Sequence, residues 1–129
     1  MKVDFFIVGA PKSGTTSLYH YLNQHSDINM SIVKEPNYFS AEELKRQDLY
    51  YKAKIISAID EYKNLFKSQK GNQLLGEASV SYLFYPDVAG KIKSYNPDAK
   101  IIILLRNPVE RAYSHYNMDR RLGYVKEDL

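Results

Sequence analysis

Phe5-Phe6-Ile7-Val8-Gly9-Ala10-Pro11-Lys12-Ser13-Gly14-Thr15-Thr16-Ser17 is the stretch whose reading orders the rest of the chain. Four consecutive apolar residues that run into Gly9-Ala10-Pro11 suit a strand from Asp4 to Gly9, buried on both faces. From Thr15 the apolar positions Leu18, Tyr19 and Leu22 recur at helical spacing. Ser13 or Gly14 can cap that helix, and His25-Ser26-Asp27 marks its exit. The unit is strand, tight loop, helix. Two glycines allow a tight turn, successive N–H groups at a helix start attract an anion, and Lys12 adds a full positive charge beside three hydroxyls. A plain glycine turn capped by Ser or Thr is the alternative. The coincidence of strand, loop, lysine and helix favours an anion cradle.

Downstream, Ile28 to Val33 predicts a short second strand, ended by Lys34-Glu35-Pro36-Asn37, since Pro36 disfavours helix at Glu35. Glu35 is thereby placed in a loop just past a strand. Ala41 to Lys70 predicts one or two helices, with Ile55, Ile56, Ile59, Tyr62 and Phe66 as a buried stripe. Leu74 to Ser79 reads as another strand, Pro86 to Tyr95 as a helix with proline in its first turn, and Asn96-Pro97-Asp98 as a turn. Ala99 to Leu105 is a further strand. It leads directly into Arg106-Asn107-Pro108, with Asn107 as N-cap and Pro108 opening a helix that carries Val109, Ala112, Tyr113 and Tyr116 on one face. Strands alternating with helices imply a parallel α/β sheet covered on both sides.

The 129 residues accommodate one domain, residues 1–129, and a hydrophobic share of 44% with 26% charged residues suits a packed core. The longest apolar runs are far short of the ~18 residues of a membrane span. No charged n-region or small-residue cleavage site surrounds the first run, so it reads as a strand and the default compartment is cytoplasmic. The absence of cysteine removes thiolate zinc sites and thiol nucleophiles. A net charge of +3 names no partner, and pairs such as Lys45-Arg46, Lys91/Lys93 and Arg120-Arg121 are dispersed, unlike the stripe of a nucleic-acid binder. Oligomeric state leaves no mark on the sequence.

Comparison with the ATP-type loop G-x-x-x-x-G-K-[ST] narrows the anion. Gly9 and Gly14 have the right separation and Thr16 takes the Ser/Thr position, but Thr15 stands where the lysine belongs and Lys12 lies inside the loop. The apolar strand at which an NTPase carries a metal-organising Asp ends in Arg106. An arginine there recognises a second anion and holds no metal. A nucleotide with phosphates at two separated places, and no need for magnesium, fits better than ATP.

At these residues the sequence resembles the sulfotransferases that use 3′-phosphoadenosine 5′-phosphosulfate (PAPS). Pro11-Lys12-Ser13-Gly14-Thr15-Thr16-Ser17-Leu18 is similar to the family's 5′-phosphosulfate loop, and Leu105 to Tyr116 to its 3′-phosphate segment. Lys34-Glu35-Pro36-Asn37-Tyr38-Phe39 and Gly76-Glu77-Ala78-Ser79 resemble segments of the carbohydrate and heparan-type branch. The resemblance implies an α/β, P-loop-like three-layer fold with a parallel β-sheet flanked by helices. It also implies that these residues are the N-terminal portion of that fold, truncated at the C-terminus, where the family continues into further strands and a loop over the nucleotide.

Roles follow by the same resemblance. Lys12, Ser13, Gly14, Thr15, Thr16 and Ser17 hold the 5′-phosphate, with Lys12 also stabilising the bridging oxygen as it leaves. Arg106 and Ser114 bind the 3′-phosphate, and Glu35 is the catalytic base. Lys34 and Glu77 are candidates for the acceptor side. The product would be the bisphosphate nucleotide PAP, no metal is expected, and the partners are the nucleotide cosubstrate and a carbohydrate or other small acceptor. His20, His25 and His115 are rival bases, but none occupies a matching motif. The family often has lysine where this chain has Ala78, which leaves the substrate class open. A non-catalytic PAP- or PAPS-binding fragment and a P-loop kinase or NTPase are the alternative functions.

Overall fold

An unbroken apolar run needs neighbours on both faces and both edges, and the first strand obtains them. The computed structural model describes residues 1–47 and 53–128. In it β1 (Phe5–Gly9) is buried at every position. The chain continues through α1 (Thr15–Asn23), β2 (Ile28–Met30), α2 (Ala41–Arg46), α3 (Ile59–Asn64) and β3 (Leu74–Ala78). A 3₁₀ turn (Val80–Leu83) precedes α4 (Pro86–Tyr95), β4 (Lys100–Ile103) and α5 (Pro108–Arg121). The four strands lie in the order β2-β3-β1-β4 and every pairing is parallel. All the strands therefore point their carboxyl ends toward one edge, from which the loops carrying Lys12, Glu35 and Arg106 emerge.

Alternation along β1 divides the core. Phe6 and Val8 face a large cluster that includes Tyr62, Leu75, Tyr82, Val88 and Ile92. Phe5 and Ile7 face a smaller one with Tyr19, Met30 and Ala78, closed by Leu18 and Leu22 of α1. The result is the three-layer α/β architecture implied by the sequence. Gly76 sits between β1 and β2 in register with Phe5 and Met30. A Cβ there would overlap the Phe5 ring and lie 2.6 Å from Met30 Sδ, so the close fit of these strands depends on its absence.

Several local expectations change. The second strand has three residues instead of six. Ile55 and Ile56 lie in irregular chain ahead of α3, and Ile59 is exposed, while Ile56, Tyr62 and Phe66 are buried as expected. Residues 48–52 of that stretch lie outside the described residues. The 3₁₀ turn resolves the stretch before Pro86, whose aromatic Tyr82 is core. β4 is an edge strand: Ile101 and Ile103 are about half exposed, at 49% and 48%, and β1 is its pairing partner among the described residues. An apolar run reports suitability for burial, not the number of neighbours present. For the same reason α5 departs from the expected packed face, since Val109 and Tyr113 are exposed. No helix among the described residues is long and apolar enough to cross a membrane.

Candidate nucleotide and acceptor site

The loop after β1 is anchored on its β4 side. Ala10 N–H donates to the Leu104 carbonyl at 2.8 Å, and Leu104 N–H returns to the Gly9 carbonyl at 2.9 Å. Gly14 takes φ 89, a left-handed value that a glycine adopts freely, and serves as N-cap of α1 with no side-chain cap bond. The first helical bond joins Leu18 N–H to the Gly14 carbonyl. The N–H groups of Thr15, Thr16 and Ser17 are those that a helix start leaves without an i−4 partner. Thr15 is buried, and Thr16 and Ser17 are exposed at the same end. Ser13 Oγ lies 3.5 Å from the Pro11 carbonyl, at the limit of a hydrogen bond. Lys12 itself has φ 60, an uncommon backbone state that such a loop stores.

Arg106 follows β4 on the neighbouring side. Its Nη1 donates to the Lys12 carbonyl at 3.2 Å, across 94 residues of sequence, and its Nε lies 3.8 Å from Glu110 Oε2. The helix behind it is capped as its sequence requires: Asn107 Oδ1 accepts from Val109 N–H at 3.0 Å and Glu110 N–H at 3.3 Å. Lys12, Arg106 and Ser114 line one surface cavity of about 380 Å³. Glu110, Tyr113, Asn117, Met118 and Arg121 complete the lining, and sequence reasoning gave none of them a part in the site. Their signal was present. Positions 110, 113, 114, 117, 118 and 121 form one i, i+3, i+4 stripe of a helix already known to carry Ser114. Tyr113, grouped by its spacing with Val109, Ala112 and Tyr116, lines this cavity. Ser13, Gly14, Thr15, Thr16 and Ser17 stand at the loop and helix start, outside the cavity lining.

Glu35 lies on the other side of β1. Its N–H donates to the Ala78 carbonyl at 2.8 Å, which holds it at the carboxyl end of β3, and β3 pairs directly with β1. Lys34 Nζ lies 3.4 Å from Glu35 Oε1, and both side chains are partly exposed. The cavity that gathers Lys12 and Arg106 does not include Glu35 in its lining. The sheet order sets Arg106, after β4, on one side of the β1 loop and Glu35, held at the end of β3, on the other.

Glu77 is corrected by its burial. It has no solvent exposure, so it offers no surface to an acceptor. Tyr62 Oη donates to its Oε2 and Ser79 Oγ to its Oε1, each at 2.6 Å. Burial pushes its carboxyl up to about 7, against the opposing pull of hydrogen bonds from Ser79, Tyr62 and Tyr82. Burial, with the Glu77 charge second, raises Tyr62 and Tyr82 well above the ordinary phenol value. Among the described residues no group of three or more His, Cys, Asp and Glu side chains is placed to hold a metal ion.

Comparison with known proteins bears on this geometry. A crystal structure of a sulfotransferase from Alicyclobacillus acidocaldarius superposes with a TM-score of 0.87 at 41% identity, over 99% of this chain and 54% of that one. The membrane-associated sulfotransferase kil1 of Dictyostelium discoideum is 34% identical over 88% of this chain and 22% of its own length. Carbohydrate sulfotransferase 15 of Mus musculus is 29% identical over 87% of this chain and 26% of its own. The bifunctional heparan sulfate N-deacetylase/N-sulfotransferase 1 of Xenopus laevis is 34% identical over 88% and 12%. The chain thus spans about a quarter or less of these curated relatives and about half of the solved structure. The family described as "Sulfotransferase domain" matches residues 2–128, a span that takes in every element from β1 to α5. By that match, and by the fold that carries it, the chain belongs to the sulfotransferase domain family.

Proposed function

We propose that this chain transfers a sulfuryl group from PAPS to a hydroxyl or amine of a carbohydrate or other small acceptor. The observation that carries the reading is the convergence of Lys12 and Arg106 on one cavity, joined by the bond from Arg106 Nη1 to the Lys12 carbonyl. Two cations from loops 94 residues apart suit an anionic ligand with charge at two places. The donor set fits PAPS in kind: a helix start with free N–H groups, hydroxyls at Ser13, Thr15, Thr16 and Ser17, a lysine, and an arginine with Ser114 on the facing helix. Relatives named as carbohydrate and heparan sulfate sulfotransferases support the acceptor class.

PAPS, when bound, supplies a sulfuryl group joined to its 5′-phosphate through a bridging oxygen. The Lys12 ammonium offsets the negative charge that develops on that oxygen as its bond to sulfur breaks. Glu35 takes the proton of the acceptor hydroxyl or amine as that oxygen or nitrogen bonds to sulfur. Lys34, which pairs with Glu35, meets the sulfuryl group or the acceptor. Arg106 can present a two-pronged donor to the 3′-phosphate, which Ser114 joins from α5.

The test is sulfate transfer from labelled PAPS to a panel of carbohydrate hydroxyls and amines, without added magnesium. Transfer is expected, and Glu35→Gln should reduce it by about 100-fold or more, at the lower end of general-base contributions. Nucleotide binding with no transfer to any acceptor would make the chain a binding module. Magnesium-dependent ATP binding in its place would make it an NTPase.

A further inference from the structure

Behind the Glu35 loop lies a chain of polar groups sealed in the core. Glu77 and Ser79 have no exposure, and Asn37 is buried beside them. Ser79 Oγ spends its one proton on Glu77 Oε1 at 2.6 Å, so a lone pair faces Asn37, whose backbone N–H donates to that oxygen at 3.1 Å. The Asn37 side chain clamps the loop in turn. Its Nδ2 donates to the carbonyls of Glu35 at 2.9 Å and Lys54 at 2.8 Å, and its Oδ1 accepts from Ser81 Oγ at 2.7 Å. The loop needs such support. Glu35 and Asn37 both take left-handed backbone, φ 58 and φ 55, on either side of Pro36, and such residues persist when their surroundings over-determine them.

A buried carboxylate is a costly way to fill a core, and an apolar side chain would pack there with less penalty. What the carboxylate supplies is direction. With Tyr62 donating to its Oε2, its Oε1 accepts from Ser79, which turns the Ser79 hydroxyl toward Glu77 and leaves the lone pair for Asn37.

We propose that Glu77, Ser79 and Asn37 form a buried tether that sets the orientation of Glu35, with Glu77 and Ser79 as positioning residues for proton removal from the acceptor. The proposal rests on the reading of Glu35 as the base. Its test separates the two. Ser79→Ala and Asn37→Gly are each made in the native and Glu35→Gln backgrounds; Asn37→Gly keeps the left-handed backbone and removes only the side-chain clamp. Turnover with labelled PAPS, calorimetric affinity for adenosine 3′,5′-bisphosphate, and amide exchange by NMR are read for all. The tether predicts at least a tenfold loss of turnover in the native background, no further loss in Glu35→Gln, and nucleotide affinity within twofold. It also predicts that the amides at positions 35 and 37 exchange at least tenfold faster in both variants while β1 amides are unchanged. Equal losses in both backgrounds, unaltered turnover, unaltered loop exchange, or equal acceleration throughout β1 would overturn the tether. Full turnover by Glu35→Gln overturns the base assignment alone, and the exchange data then decide whether the tether holds the loop.

Discussion

Glu77 makes stability depend on pH in a direction opposite to that of most carboxylates. Its carboxyl is raised to about 7 in the folded chain, against an ordinary value of 4.5, because burial disfavours the charged form. Between these values the folded state holds a proton that the unfolded state has released, so stability is fully present below pH 4.5 and is lost as pH rises through 7. The shift corresponds to about 3 kcal/mol, at about 1.4 kcal/mol for each pH unit. With a urea slope of about 1.5 kcal/mol per molar for a domain of this size, the unfolding midpoint should fall by about 2 M between pH 4.5 and pH 8. Glu77→Gln keeps the shape and removes the titration. The substitution leaves every other ionisable group in place, so the difference between the two curves isolates Glu77. Urea unfolding followed by circular dichroism at half-unit pH steps is the assay. Parallel curves for the native chain and Glu77→Gln, or a native chain that gains stability relative to Glu77→Gln as pH rises from 5 to 8, would refute the account of this buried acid.

Lys12→Ala should reduce kcat by about 100-fold or more, in the range lost with one donor to a developing oxyanion, while the Kd for the bisphosphate nucleotide rises by a smaller factor. Steady-state kinetics beside calorimetry reads the split, and retained turnover contradicts the role given to its ammonium. Gly76→Ala should cost about 3 kcal/mol through overlap with Phe5 and Met30, whereas Gly90→Ala, with open space around it inside α4, should stabilise by about 0.5–1 kcal/mol. Denaturant unfolding of the pair checks both signs at once. Asn107→Ala removes the acceptor for Val109 and Glu110 N–H and should lower stability by about 1 kcal/mol, with Asn107→Asp restoring most of it in a melting experiment.

The architecture was legible because its signals are local. The run Phe5 to Val8, the loop glycines, the helical spacing of Leu18, Tyr19 and Leu22, and the Asn107-Pro108 start each specify an element within a few residues. The convergence of Lys12 and Arg106 could also be anticipated, because parallel strands bring loops after their carboxyl ends to one edge. Glu77 was misplaced on the acceptor side because its burial is set by Tyr62 from α3 and Tyr82 from the 3₁₀ turn, neither visible in the Gly76-Glu77-Ala78-Ser79 motif itself. The left-handed backbone of Glu35 and Asn37 escaped notice for a related reason: Pro36 excludes helix before it but does not choose among the remaining states. β4 and α5 have apolar residues that the described structure leaves exposed, which composition and periodicity do not report.

Under the proposed function, Lys12 and Arg106 grip two ends of one nucleotide. Calorimetric titration of Arg106→Ala with adenosine 3′,5′-bisphosphate and with adenosine 5′-monophosphate tests it most directly. Loss of a charge-assisted phosphate contact, about 2–3 kcal/mol, should weaken the bisphosphate by about 30- to 150-fold and leave the monophosphate within about threefold. Equal weakening of both nucleotides, or of neither, would contradict the assignment of Arg106 to the 3′-phosphate and the two-ended grip with it.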